Sequence, residues 1–179
     1  EVGTIQNIKA IGETAKEKNI VFYTDAVQAF GALKLNVEEM KIDAMSISSH
    51  KIYGPKGCGA LYIRNGIKID NLIDGGHQER NKRGGTTNTP AVVGFGKAAE
   101  VTTRDMPIFN EKMKKIREYF IKQVTEKIPH IIINGHPKQR VENMVNITFE
   151  LIEGEAILLM LDFAGIAVST GSACTSGSL

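Results

Sequence analysis

Cysteine is nearly absent: 179 residues contain only Cys58 and Cys174, far apart in the chain. Two are too few for a disulfide framework and offer no closely spaced pair of metal ligands, so a reducing, cytoplasmic setting and no metal are the simplest expectation. An excess of charge is missing too. Lysine and arginine number 22 against 20 aspartates and glutamates, which argues against nucleic acid or an anionic membrane as partner. No stretch reaches the roughly 20 apolar residues that span a bilayer, and the basic, apolar, small-residue succession of a signal peptide is not found at the start. Internal repeats and low-complexity segments are lacking as well. What remains is an ordinary globular composition, 42% hydrophobic and 23% charged, with enough length to bury a core. The chain opens on Glu1-Val2-Gly3-Thr4 with no methionine and closes inside the small-residue run from Gly171 to Leu179. That run reads as a loop rather than a terminus, and a piece of a longer protein is expected.

Helices alternate with short apolar runs. Ile8, Ile11 and Ala15 share a helical face, and the polar stretch from Lys16 to Asn19 ends that helix. Ile20-Val21-Phe22-Tyr23 reads as a strand leading into Thr24-Asp25. Ala44-Met45-Ser46-Ile47-Ser48 is a second strand leading into Ser49-His50-Lys51, and Gly59 to Ile63 a third, closed by an Asn65-Gly66 turn. This order predicts an α/β fold on a mostly parallel sheet, with room for an antiparallel last pair. Gly75-Gly76-His77 and Arg83-Gly84-Gly85-Thr86-Thr87-Asn88 are polar, glycine-rich connections. Pro90 opens a helix to about Arg104 that uses Val93, Ala98 and Val101. A second helix, Asn110 to Lys127, carries Met113, Ile116, Phe120 and Val124. Pro107 between them predicts a hinge and a domain boundary, dividing residues 1–105 from 106–179. Strands at Ile131–Ile133, Val145 to Phe149 and Ile166–Val168, with a helix from Gly154 to about Phe163, predict a smaller α+β domain.

Ligands of open α/β sheets gather where strands end at their carboxyl edge. Asp25 and Gln28, three residues apart after one strand, can face a common ligand if a helical turn starts there. After the next strand, Ser48, His50 and Lys51 supply a hydroxyl, an imidazole and an amine. An amine that forms a Schiff base must be fixed and partly desolvated to be nucleophilic. A pyridoxal-phosphate (PLP) site further needs an acid for the pyridine nitrogen and donors for the phosphate. Taken singly, each residue has a blander reading: Lys51 a solvated surface lysine, Asp25 a helix cap, Ser48 a turn residue.

The string as a whole is more specific. Thr24-Asp25-Ala26-Val27-Gln28-Ala29, Ser46-Ile47-Ser48-Ser49-His50-Lys51-Ile52-Tyr53-Gly54-Pro55-Lys56-Gly57, Gly75-Gly76-His77-Gln78-Glu79-Arg80 and Arg83-Gly84-Gly85-Thr86 resemble the NifS/IscS-type cysteine desulfurases. These belong to the class V aminotransferase group of fold-type I PLP enzymes, and the match runs nearly without gaps from Glu1 to Leu179. The resemblance implies the second half of a PLP-binding large domain followed by part of the small domain. It makes Lys51 the cofactor lysine, Asp25 the partner of the pyridinium nitrogen, Gln28 a donor to the ring's phenolic oxygen, and Ser48 and His50 phosphate ligands. It makes Thr86 a phosphate ligand for the other subunit's cofactor, hence a homodimer. The roles of Arg80 and Arg83 stay open between the site and structural ion pairs.

Of the two cysteines, Cys58, between glycines at a strand start, reads as an inert small residue. Cys174 lies among serines, a threonine and glycines, a setting that suits an exposed thiol but does not by itself assign one. Residues 169–178 resemble the active-cysteine loop of the desulfurase branch in which that loop is long, which makes Cys174 the sulfur-accepting nucleophile. The implied reaction converts L-cysteine to L-alanine and leaves a persulfide on Cys174 for a sulfur-acceptor protein such as an iron–sulfur scaffold. By the same resemblance, a ring-stacking histidine, a phosphate-binding turn and an asparagine lie upstream of Glu1. The arginine for the substrate carboxylate lies downstream of Leu179, so the fragment alone is expected to be inactive. Another class V enzyme, such as a selenocysteine lyase or an aminotransferase, and a non-catalytic scaffold of the same fold are the competing readings.

Overall fold

A computed structural model describes residues 1–171 of the chain. Two compact units are distinguished, residues 6–108 and a second made of Glu1–Ile5 with the chain from Phe109 onward. Each is described by itself.

In the first unit, α1 (Ile8–Glu17) starts at Asn7, whose side-chain oxygen accepts from the Ala10 amide at 3.3 Å. It ends in a Schellman turn: Asn19 takes a left-handed φ of 53°, its amide bonds Lys16 and the Ile20 amide bonds Ala15. Ile8 packs on the core and Ala15 is half-buried, as expected, but Ile11 departs from that face. Ile11 is 47% exposed, whereas Gly12 is buried, because any Cβ at position 12 would run into the Met40 carbonyl oxygen. Contact here is backbone on backbone, a closeness that hydrophobic periodicity does not register.

β1 is Tyr23–Asp25, two to three residues later than the apolar run suggests. The delay has a local cause. The Asp43 carboxylate takes the Phe22 amide at 3.0 Å, and the Phe22 carbonyl accepts from Asp43 and Ala44, so the ladder proper begins only at Tyr23. β1 pairs in parallel with β2 (Ala44–Ser48), Tyr23 opposite Ala44 and Asp25 opposite Ser46. β3 (Gly59–Ile63) runs antiparallel to β2, giving the order β1-β2-β3. The sheet is thus half parallel and half antiparallel, and the antiparallel option for the last pair is the one realised. Its core is Ala26, Ile42 and Met45, covered by residues that include Ile8, Phe22, Leu35, Ile47 and Tyr62.

Arg64, just past β3, locks the sheet's far edge. It donates to Asp43 at 3.1 Å, to both Glu38 oxygens at 2.7 and 2.8 Å, and to the Val37 and Ile42 carbonyls. A short turn, α2 (Gln78–Asn81), holds Glu79, Arg80 and Asn81 at left-handed φ values. α3 (Thr89–Lys127) then runs unbroken through Pro107, where two helices and a hinge were expected. A proline removes one helical hydrogen bond, and α3 continues on both sides of it. Asn88 accepts from the Ala91 amide at its start. The buried face of α3 in this unit is Ala91 and Phe95, not Val93, which is 66% exposed; Phe95 meets Phe30 edge to face at 6.4 Å.

In the second unit, β4 (Ile131–Ile133) and β5 (Ile147–Phe149) form an antiparallel pair. Buried Arg140 clamps it to the chain start, donating to the carbonyls of Val2 at 3.2 Å and Asn134 at 3.0 Å. Burial, with the Arg117 charge nearby, pushes the Arg140 pKa down. α4 (Gly154–Phe163) closes in a second Schellman turn, with Gly165 at φ 77° and the Ile166 amide bonded to Leu161. Ile166–Val168, expected as a strand, forms none among the described residues: the helix end takes the Ile166 amide.

Gly12→Ala, which in an open helix would stabilise, should lower stability by about 1–3 kcal/mol through overpacking against Met40, read from urea unfolding. Arg64→Ala strands the Ile42 carbonyl and the Asp43 carboxylate and should cost about 2 kcal/mol. The hydrogen bond from Arg64 holds the Glu38 carboxyl below the usual glutamate range. Its contribution is therefore present above that range and lost as pH falls through the lowered value. Glu38→Gln should accordingly reduce the drop in urea midpoint between neutral and acid pH.

Candidate functional site

β1 and β2 are parallel, so their last residues, Asp25 and Ser48, come to the same carboxyl edge of the sheet. This is where an open α/β sheet presents ligand-binding groups. One Asp25 oxygen accepts from the Val27 amide at 2.8 Å, an Asx turn that orients the carboxylate as the chain leaves the strand. The Ala26 amide bonds the Ser46 carbonyl at 2.9 Å and extends the pairing by one residue. Ala26 is buried while Asp25 and Gln28 stay exposed on the turn that follows.

At the end of β2 the Ser48 hydroxyl lies 2.8 Å from His50 Nδ1, so hydroxyl and imidazole are already joined. Ser49–Ile52 is one 3₁₀ turn, capped by Tyr53 with a left-handed φ of 64°. Ser49 and Ile52 point inward, at 0% and 2% exposed, and His50 and Lys51 outward. The Ser49 amide bonds the Cys58 carbonyl at 3.0 Å, closing the β2–β3 connection behind the turn. Cys58 itself is half-buried with a free thiol.

The structure therefore brings Asp25, Gln28, Ser48, His50 and Lys51 to one sheet edge. It does not bring Thr86 to them through any hydrogen bond among the described residues. Thr86 is exposed on a loop held by other contacts: Gly84 amide to Ile73 carbonyl at 2.9 Å, Gly85 amide to Gln78 Oε1 at 3.1 Å. Arg83 turns back on the same loop, donating to the Gly84 carbonyl at 2.7 Å, and neither it nor Arg80 forms an ion pair among the described residues. Cys174 lies outside the described residues.

Sequence reading missed two contributors. Tyr23 and Ser46 join by their hydroxyls at 2.8 Å, across the ladder beside Asp25. The alternation of β1 and β2 residues was the signal that pairs them. Ser49 was seen only as a neighbour of Ser48, although in a 3₁₀ turn residues three apart share a face, which puts Ser49 with Ile52.

The donor set suits PLP: a carboxylate exposed at a strand end for a protonated ring nitrogen, a linked hydroxyl and imidazole for a phosphate, and an accessible amine. No three His, Cys, Asp or Glu side chains among the described residues gather as a metal site needs. Nor is any helix of the described residues long and apolar enough to cross a membrane.

Comparison with known proteins agrees with this chemistry. The family model for aminotransferase class-V matches residues 1–179. The chain is 55% identical over 179 residues to the cysteine desulfurase IscS of Methanosarcina thermophila, covering 100% of this chain and 44% of that protein. Among solved structures, a NifS-like protein from Rickettsia africae superposes with a TM-score of 0.91 at 35% identity, over 96% of this chain and 48% of the other. SspA, solved in complex with cysteine, superposes with a TM-score of 0.76 at 37% identity, over 98% and 48%. The chain thus spans about half the length of the relatives it matches. Class V enzymes of this kind, cysteine desulfurases included, depend on PLP. On the full-length match of its sequence and the agreement of its sheet edge with that cofactor's needs, the chain belongs to the aminotransferase class-V family.

Proposed function

We propose that the longer protein of which this chain is a part is a cysteine desulfurase, with Lys51 as its cofactor lysine and Cys174 as its sulfur acceptor. The observation that carries the reading is the meeting of Asp25 with Ser48, His50 and Lys51 where β1 and β2 end side by side. The cysteine desulfurases at 55% identity support it, as does a solved relative in complex with cysteine.

Bound PLP supplies an electron sink next to the substrate's α-carbon. Asp25 would keep the pyridine nitrogen protonated, since a fixed anion favours the charged form. Gln28 would donate to the phenolic oxygen, and the Ser48–His50 pair would hold the phosphate. Thr86 would serve the partner subunit's phosphate in a homodimer. The Lys51 amine, exposed on its turn, would anchor the cofactor and, once released, carry a proton from the α-carbon of L-cysteine. The thiolate of Cys174 would attack the substrate sulfur: the new S–S bond forms as the C–S bond breaks, its electron pair stays on carbon, and protonation there yields L-alanine. Cys174 keeps the sulfur as a persulfide, with no external oxidant or reductant consumed. That sulfur passes to a thiol of an acceptor, for which an iron–sulfur scaffold protein in the cytoplasm is the proposed case.

In the complete protein, Cys174→Ala should keep bound PLP and lose release of alanine from L-cysteine. Retained turnover would instead point to another class V reaction, a selenocysteine lyase or an aminotransferase. Lys51→Ala should abolish borohydride fixation of the cofactor and lower turnover by about 10²–10⁴-fold, the range for loss of a positioned acid–base group. Residues 1–179 alone should neither retain PLP through gel filtration nor turn over cysteine. Stoichiometric PLP in that preparation would overturn this expectation.

A further inference from the structure

Ser49 is fully buried, yet its hydroxyl has no hydrogen-bond partner among the described residues. An orphan buried hydroxyl is costly, so something other than hydrogen bonding must explain a residue of this size here. The surroundings supply the reason. Gly54 folds back on Ser49, its amide bonding the Ser49 carbonyl at 3.0 Å. A Cβ at position 54 would strike the Ser49 hydroxyl and come within 3.1 Å of the Ala98 methyl on α3. At the other end of the turn, Ile52 is wedged between Gly31 and Thr102. A Cβ on Gly31 would lie 2.6 Å from Ile52 and 2.8 Å from Thr102, and the Thr102 hydroxyl reaches the Ile52 carbonyl at 3.5 Å.

Ala98 and Thr102 are one helical turn apart on α3, so a single helix face receives both ends of the 3₁₀ turn. Between those ends lie His50 and Lys51, both exposed. We propose that Ser49 is a positioning residue for Lys51: its small volume, packed against Gly54 beside Ala98, seats the turn on α3 and so sets where the Lys51 amine stands relative to Ser48 and Asp25. What matters is the absence of bulk at this position, not a hydrogen bond from the hydroxyl. A larger residue at 49 or 54 lifts the turn at one end while Ile52 stays fixed at the other, which tilts the segment that carries Lys51.

The inference rests on the cofactor reading above, and its test separates the two. The complete protein is loaded with PLP, and three quantities are read: the PLP dissociation constant, the fraction of Lys51 fixed by borohydride, and the pH midpoint of the cofactor's absorbance change. Ser49→Ala removes the hydroxyl without adding bulk and should leave all three at wild-type values. Ser49→Val and Gly54→Ala should weaken PLP binding by about tenfold or more, the scale of effect expected of a small misplacement, and should shift the absorbance midpoint. Gly12→Ala, remote from the turn but also destabilising, controls for loss of stability and should move neither. A shifted midpoint in Ser49→Ala, or wild-type values in Ser49→Val and Gly54→Ala, overturns the positioning role while leaving the cofactor reading intact. No fixation of PLP on Lys51 in the wild-type protein overturns both.

Discussion

Parallel pairing of β1 with β2 is the constraint on which the site depends. Antiparallel strands would end at opposite edges and leave Asp25 a strand's length from Ser48. In parallel, with Tyr23 opposite Ala44 and Asp25 opposite Ser46, both chains leave the sheet on the same side. A parallel pair needs a crossover between its strands, and residues 26–43 supply it, tucking Ala26 and Ile42 into the core on the way. The hydrophobic effect thus holds in place a pairing whose consequence is the gathering of polar groups.

The two edges of the sheet are used differently. At the edge where β1 and β2 begin, Asp43 and Arg64 satisfy backbone and side-chain groups in a closed network: Phe22 amide, Val37 and Ile42 carbonyls, Glu38. There Arg64 pairs with both Glu38 and Asp43. At the carboxyl edge the side chains of Gln28 and Lys51 are exposed, and Ser48 and His50 bond each other. A ligand with a phosphate and an aromatic cation could be met there without first breaking structural ion pairs.

Lys51 stands exposed on a turn whose end residues are buried. Its own side chain is accessible, but the residues around it, Ser49 and Ile52, are the most deeply buried of the turn. Those neighbours lie against Ala98 and Thr102 of α3, and the left-handed Tyr53 cap ends the turn before it could continue as an α-helix.

Much of this was written in local sequence. The limits of β2, β3, β4 and α4 follow from runs of strand or helix formers, and Asp25, Gln28, Ser48, His50 and Lys51 could be singled out by their place after such runs and by family resemblance. The start of β1 was not legible, because the Asp43 side chain, 18 residues past β1, takes the amide that would have begun the ladder. Gly12 and Phe95 rather than Ile11 and Val93 face inward because close approach of Met40 and Phe30 decides the helix faces, and periodicity cannot see a partner. Continuity of α3 through Pro107 runs against the local preference of proline, which interrupts a helix. Sequence alone determined which chemical groups the chain carries and the order in which they come. Only tertiary structure decided that Asp25 and Ser48 share an edge, that Thr86 makes no hydrogen bond to them among the described residues, and that Ser49 is buried, since each depends on contacts between segments that are distant in the chain.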